Sequence, residues 1–252
     1  MKPYCNQHHL SGFVLLASVM AVVPTASADV SYTSSATLLY TINSITNLDN
    51  PNDLSGLSMS GSFLELTGAN DFYAATSGDG SYQTNIPGFS GALTPSGRFG
   101  VSGYSVLYGT VNTLHTGVFS MDFSNTGTNS YTVDVKLDYW LNAVTNGIYA
   151  NSAIFLDFWD TNNNVSGVDY AAAGTYLDHA YDSQSVSGFA DLVFTLAPGA
   201  SNRFIAKVGS QSGLDSSSTA PVPMPSAFWL FAAGLLGMIS VKKMGSIDGR
   251  VL

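Results

Sequence analysis

The stretch Asp157-Phe158-Trp159-Asp160-Thr161-Asn162-Asn163-Asn164, with Asp169 downstream, gathers oxygen-bearing side chains. Asp160, Asn162 and Asn164 fall at every second residue, the spacing by which a loop brings several oxygens onto a hard cation such as calcium. Asp157, Asp160, Asn162, Asn164 and Asp169 are therefore the candidate calcium ligands. The helix-loop-helix form of such a site is incomplete, because Val165 stands at its glycine position and Ala171 where a bidentate glutamate belongs. Asn and Asp also favour hairpin turns for backbone reasons, and a polar turn is the expected reading. Asn47-Leu48-Asp49-Asn50-Pro51-Asn52-Asp53 forms a weaker second group of the same kind.

Glycoside hydrolysis needs two carboxyls, one held protonated and one ionised. Glu65, Asp157, Asp160 and Asp169 are available, but their spacing does not place any two at a working separation, and along a strand Asp157 and Asp160 point to opposite faces. His115 and His179 lie too far apart in sequence for a helical metal pair, and each is most simply a strand or loop residue. The sequence holds no Gly-x-Ser-x-Gly, His-Glu-x-x-His or Gly-x-x-x-x-Gly-Lys pattern, so the hydrolase, zincin and nucleotide-binding readings lack their motifs. No catalytic residue is assigned, and the chain is expected not to be an enzyme. Trp140 is the candidate ligand residue, since an exposed indole can stack on a sugar ring. It falls on the polar side of a strand, either as a surface platform or covered by another element, and burial is the usual fate of a tryptophan.

Charge narrows the partners. Residues 29–221 carry four basic side chains, Arg98, Lys136, Arg203 and Lys207, against sixteen acidic ones, a formal charge of −12. Such a surface offers no basic patch to neutralise phosphates, which argues against nucleic acid as a partner. The single cysteine, Cys5, lies near the N-terminus, so residues 29–221 have neither disulfides nor thiolate metal sites.

The elements that must position these residues read as strands. Ser, Thr, Asn, Gly and Tyr abound in residues 29–221 and Glu65 is their one glutamate, which removes the usual solvent face of an amphipathic helix. Period-two alternation is clearest over 131–141, with Tyr131, Val133, Val135, Leu137, Tyr139 and Leu141 on one side. Further strands are expected at 36–42, 57–66, 101–108, 114–123, 153–158, 189–196 and 203–208, with turns at 49–53, 77–80, 124–127 and 197–199. Many short strands with frequent turns predict an all-β, two-sheet antiparallel β-sandwich, jelly-roll or immunoglobulin-like, over 29–210. The runs 119–135 and 192–208 each read as a strand pair crossing the sandwich. A Ser-rich linker is expected over 211–221, where apolar periodicity is lost.

Both ends read as targeting segments. A lysine at position 2, an apolar run over 12–23 and the sequence Pro24-Thr25-Ala26-Ser27-Ala28 describe a secretory signal peptide, 1–28, in helical form. Signal peptidase is expected to cut between Ala28 and Asp29, directed by Ala26 and Ala28; the alternative is an uncleaved anchor. At the C-terminus Val222-Pro223-Met224-Pro225-Ser226 precedes a 15-residue apolar run, 227–241, and then Lys242 and Lys243. As a helix the run spans about 23 Å at 1.5 Å per residue, enough to sit in a bilayer with Trp229 and the lysines at its two interfaces. The lysines place 244–252 in the cytoplasm as a short tail and the body outside it.

This tail resembles the PEP-CTERM sorting signal of exosortase substrates, in the variant Val-Pro-x-Pro-small followed by Trp-Leu-Phe, Gly-Leu-Leu-Gly and a basic stop. The resemblance covers 222–243, with Met224 where the commonest form has Glu. It implies a Gram-negative host and a transient inner-membrane anchor. It also implies a membrane-embedded exosortase that recognises the tail and delivers the protein to the cell surface, in bacteria that make an exopolysaccharide. The expected product is a non-enzymatic surface or extracellular-matrix protein of the biofilm kind, with exosortase, signal peptidase and possible exopolysaccharide as partners. Its alternative is a calcium-assisted, lectin-like carbohydrate-binding module, and a glycoside hydrolase is the third reading. A C-terminal anchor that stays uncut is the other reading of the tail.

Overall fold

The computed structural model describes residues 29–216, apart from 52, 87–94, 107 and 163. The signal segment, residues 217–221 of the linker and the whole sorting tail lie outside the described residues. So do Ala26, Ala28, Val222 to Ser226, Trp229, Lys242 and Lys243. Among the described residues no helix is long and apolar enough to cross a membrane.

Eleven strands make up the described fold. They are β1 (Val30–Asn47), β2 (Leu57–Leu66), β3 (Phe72–Ser77), β4 (Ser81–Asn85), β5 (Ser96–Ser105) and β6 (Thr110–Asn125), followed by β7 (Tyr131–Asn146), β8 (Ala150–Asp160), β9 (Ser166–Gly174), β10 (Tyr181–Leu196) and β11 (Ser201–Asp215). The first sheet has the order β10-β7-β1-β5-β4 and the second β2-β6-β11-β8-β9, with β3 also paired to β6 beyond the end of β2. Every pairing is antiparallel. The described residues form an all-β, two-sheet antiparallel sandwich, as the alternation predicts.

Alternation decides which side chains enter the core. On β7 the odd-numbered residues from Tyr131 to Thr145 are buried and the even-numbered ones face outward, as a pleated strand with one wet face requires. Rings meet from opposite sheets: Tyr40 of β1 stands edge-on to Phe204 of β11 at 5.5 Å, and Phe123 of β6 to Phe194 of β10 at 5.2 Å. The two repeated pairs do cross the sandwich, β6 to β7 and β10 to β11. Asn125 ties the two crossings together, its Nδ2 donating to the carbonyls of Asn129 and Leu196 while its backbone N–H donates to that of Ala200.

The other end of the core is polar. The hydroxyls of Ser34 on β1 and Ser210 on β11 bond across the sheets, Tyr32 Oη pairs with Thr113 Oγ1 at 2.7 Å, and Ser152 Oγ donates to the Thr33 carbonyl at 2.9 Å. These groups are buried but partnered, which removes most of the cost of enclosing them. Burial pushes the Tyr32 phenol up to about 12, with the Thr113 bond pulling the other way.

This polar end corrects the expected linker. Residues 211–215 belong to β11, and 211–214 pair on both sides, Gln211 with Leu114 and Ala153, and Gly213 with Asn112 and Asn151. Their alternation persists, but the inward positions Ser210 and Ser212 are serines, so hydropathy reads them as solvent-facing. Three strands also went unpredicted. β3 and β4 are short, and β9 has the weak core-facing set Gly167, Asp169, Ala171 and Ala173.

Candidate functional site

Asp160 ends β8 fully buried, and its carboxylate organises the turn into β9. Oδ1 accepts the backbone N–H groups of Asn164 at 2.6 Å and Val165 at 2.9 Å. Oδ2 accepts the N–H of Asn162 at 3.2 Å and the amides of Asn164 and Asn202 at 2.8 and 3.2 Å. Burial raises the pKa of this carboxyl, but the donors from Val165, Asn202 and Asn164 outweigh it and hold it below the usual carboxylate value. The other candidate ligands do not join it. Asp157 is on the outer face of β8, and Asp169 takes the Tyr139 hydroxyl at 3.0 Å and the Tyr170 N–H. Among the described residues no group of three or more His, Cys, Asp or Glu side chains is placed to hold a metal. The oxygens of Asp160 point at N–H donors, which serves a turn and not a cation.

The second polar group is likewise an end cap. Asn47 Oδ1 accepts the N–H groups of Asp49 and Asn50 at 2.9 Å, and Asp49 Oδ2 accepts that of Ser130 at 2.8 Å. The Ser55 N–H and hydroxyl hold the Asp53 carboxyl below its ordinary pKa, with a further bond from Asn129.

Glu65 faces inward on β2, while Asp157 faces outward on β8. These two carboxyls are not brought together. Glu65 meets His115 instead: its Oε1 is 3.6 Å from Nδ1 of the imidazole, which is enclosed by the rings of Phe72 at 4.7 Å and Tyr82 at 5.8 Å. Among the described residues neither ring nitrogen has a hydrogen-bond partner. Burial pulls the His115 pKa below its ordinary value, against the opposing pull of Glu65. His179 is exposed in the β9–β10 turn, bridged to Tyr176.

Trp140 corrects the expectation of burial: it is 49% exposed. Tyr139 takes the inward place beside it, packed against Phe158, so Trp140 must face outward, between Thr37 of β1 and Ser187 of β10. The same face carries Phe189, 61% exposed, with the Lys136 ammonium 4.8 Å above its ring. Toward β4 the face becomes a groove of hydroxyls and carboxamides, a feature the sequence reading missed because β4 was not predicted.

No protein-family model matches the chain, and a search of curated proteins returns no match.

Proposed function

We propose that this chain is an exported, non-enzymatic cell-surface or extracellular-matrix protein. In this reading a signal peptide delivers it, and exosortase sorts it through the segment 222–243. The observation that carries the proposal is the order of the tail: Val222, Pro223, Pro225 and Ser226, then Trp229 in its apolar run, then Lys242 and Lys243. Intact-mass analysis with both termini mapped, on protein from the host's envelope and medium separately, tests it. The expected species starts at Asp29 and ends between Val222 and Ser226. A species in the inner membrane that retains Lys242 to Leu252 would overturn sorting.

The exposure of Trp140 on a face rich in Ser and Thr supports a second reading, a carbohydrate-binding module. The donor-filled turn at Asp160 gives that reading no calcium requirement. Retention of the protein by a polysaccharide, lost in Trp140→Ala and unchanged by chelator, is its expected signature.

A further inference from the structure

The outer surface of β1, β5 and β4 forms two adjoining depressions of about 310 and 300 Å³, which share Thr33, Gln83 and Ser102. Register sets their walls in rows across the three strands. Ser31, Tyr104 and Ser81 make the first row, Thr33, Ser102 and Gln83 the second, and Ser35, Gly100 and Asn85 the third. None of these side chains is ionised. Those of Thr33, Gln83, Ser102, Ser35 and Asn85 are engaged in no hydrogen bond among the described residues. Tyr104, 46% exposed, offers a ring at one end.

Gly100 shows that the groove is not demanded by the fold. Its strand neighbours Gly97 and Gly103 face inward and cannot carry a side chain, since a Cβ there would meet the ring of Phe119 at 2.1 Å or that of Tyr32 at 2.2 Å. A Cβ on Gly100 would meet nothing closer than the Ser34 carbonyl at 3.6 Å, and its φ is not in the left-handed region. Glycine in mid-strand costs stability, through chain entropy and the absence of a packed side chain, unless something must approach the backbone closely. No part of the described protein makes that approach.

We infer that the β1–β5–β4 groove is a binding site for an uncharged glycan, with Gly100 as its floor, Gln83, Asn85 and Ser102 as hydrogen-bonding walls and Tyr104 as its stacking ring. Hydroxyl and carboxamide groups pair with sugar hydroxyls as both donor and acceptor, and the aromatic face takes the apolar side of a sugar ring. The absence of ions in the lining, on a body of formal charge −12, selects against polyanions. The inference rests on the carbohydrate-binding reading and places the ligand in this groove, which begins on β1, the strand next to that of Trp140.

The test is affinity electrophoresis of the full-length chain in non-ionic detergent, through native gels containing hydroxyethylcellulose, galactomannan, dextran or alginate. Retardation by at least one of the three neutral polymers, with none by alginate and no effect of chelator, is expected. Gly100→Val should keep or raise the melting temperature, because a β-branched residue suits an open strand position, and should weaken retardation at least tenfold. Gln83→Ala, which removes an exposed side chain with no hydrogen-bond partner among the described residues, should weaken it severalfold. If Trp140→Ala abolishes retardation while Gly100→Val and Gln83→Ala bind normally, the carbohydrate reading survives and the groove assignment falls. Retardation by none of the neutral polymers overturns both.

Discussion

Asp160 and His115 are the two residues whose chemistry the sequence raised and the structure redirected. The carboxylate of Asp160 is surrounded by N–H donors, so Asp160→Ala strands several buried donors at once. We expect a loss of about 3 kcal/mol of stability, measured by chemical denaturation, with calcium changing neither protein. Its pKa is depressed in the fold, so its contribution is present above the unfolded value, near 3.9, and is lost as pH falls through the folded value. His115 has the same sign for a different reason. Its depressed pKa means that the unfolded chain binds the proton more readily, so stability falls as pH drops below about 6.5 and through the folded value. His115→Leu, which fills the enclosure of Phe72 and Tyr82 without a buried imidazole, should flatten the dependence of melting temperature on pH below about 6.5. An unchanged slope would place that dependence elsewhere.

At the scale of elements, β11 is the decisive case. It is a central strand paired to β6 and β8 along its length, and its last third is built from residues that resemble a linker. Gly213→Pro separates the two descriptions. In a linker the change is neutral, whereas in a central strand it removes a ladder hydrogen bond and costs about 3 kcal/mol or more. We expect the larger loss, read as a drop in the urea midpoint of the full chain. β5 shows how one strand serves two purposes. Its inward glycines admit rings from the opposite sheet and from β1, while its outward glycine leaves a groove.

For the whole molecule, topology sets behaviour that no local element reveals. β1 pairs with β5 and β7, and β11 with β6 and β8, so most of the ladder joins residues distant in sequence. Loop closure must precede these contacts, and sandwiches of this kind fold in milliseconds to seconds. Stopped-flow refolding from urea should show its main phase in that range, and complete folding within microseconds would contradict the topology. With no thiol in residues 29–221, the rate should be unaffected by reducing agent.

Strand type, the alternation of β7 and the residue range of β2 were legible in the sequence, because each depends on side-chain hydropathy at period two. The apolar end of the core followed from the same signal. The polar end did not, since Ser34, Ser210 and Ser212 resemble surface residues until a facing sheet supplies their partners. Nor did the candidate site. The outward turn of Trp140, the donors that occupy Asp160, and the separation of Glu65 from Asp157 depend on which strands lie beside them. The groove on β1, β5 and β4 joins residues about seventy positions apart, from Thr33 to Ser102. The sequence by itself determined the pleat and the chemistry carried on each strand. The tertiary structure decided which strands are neighbours, because pairing between distant segments is set by the summed burial of both sheets and not by any one segment's pattern.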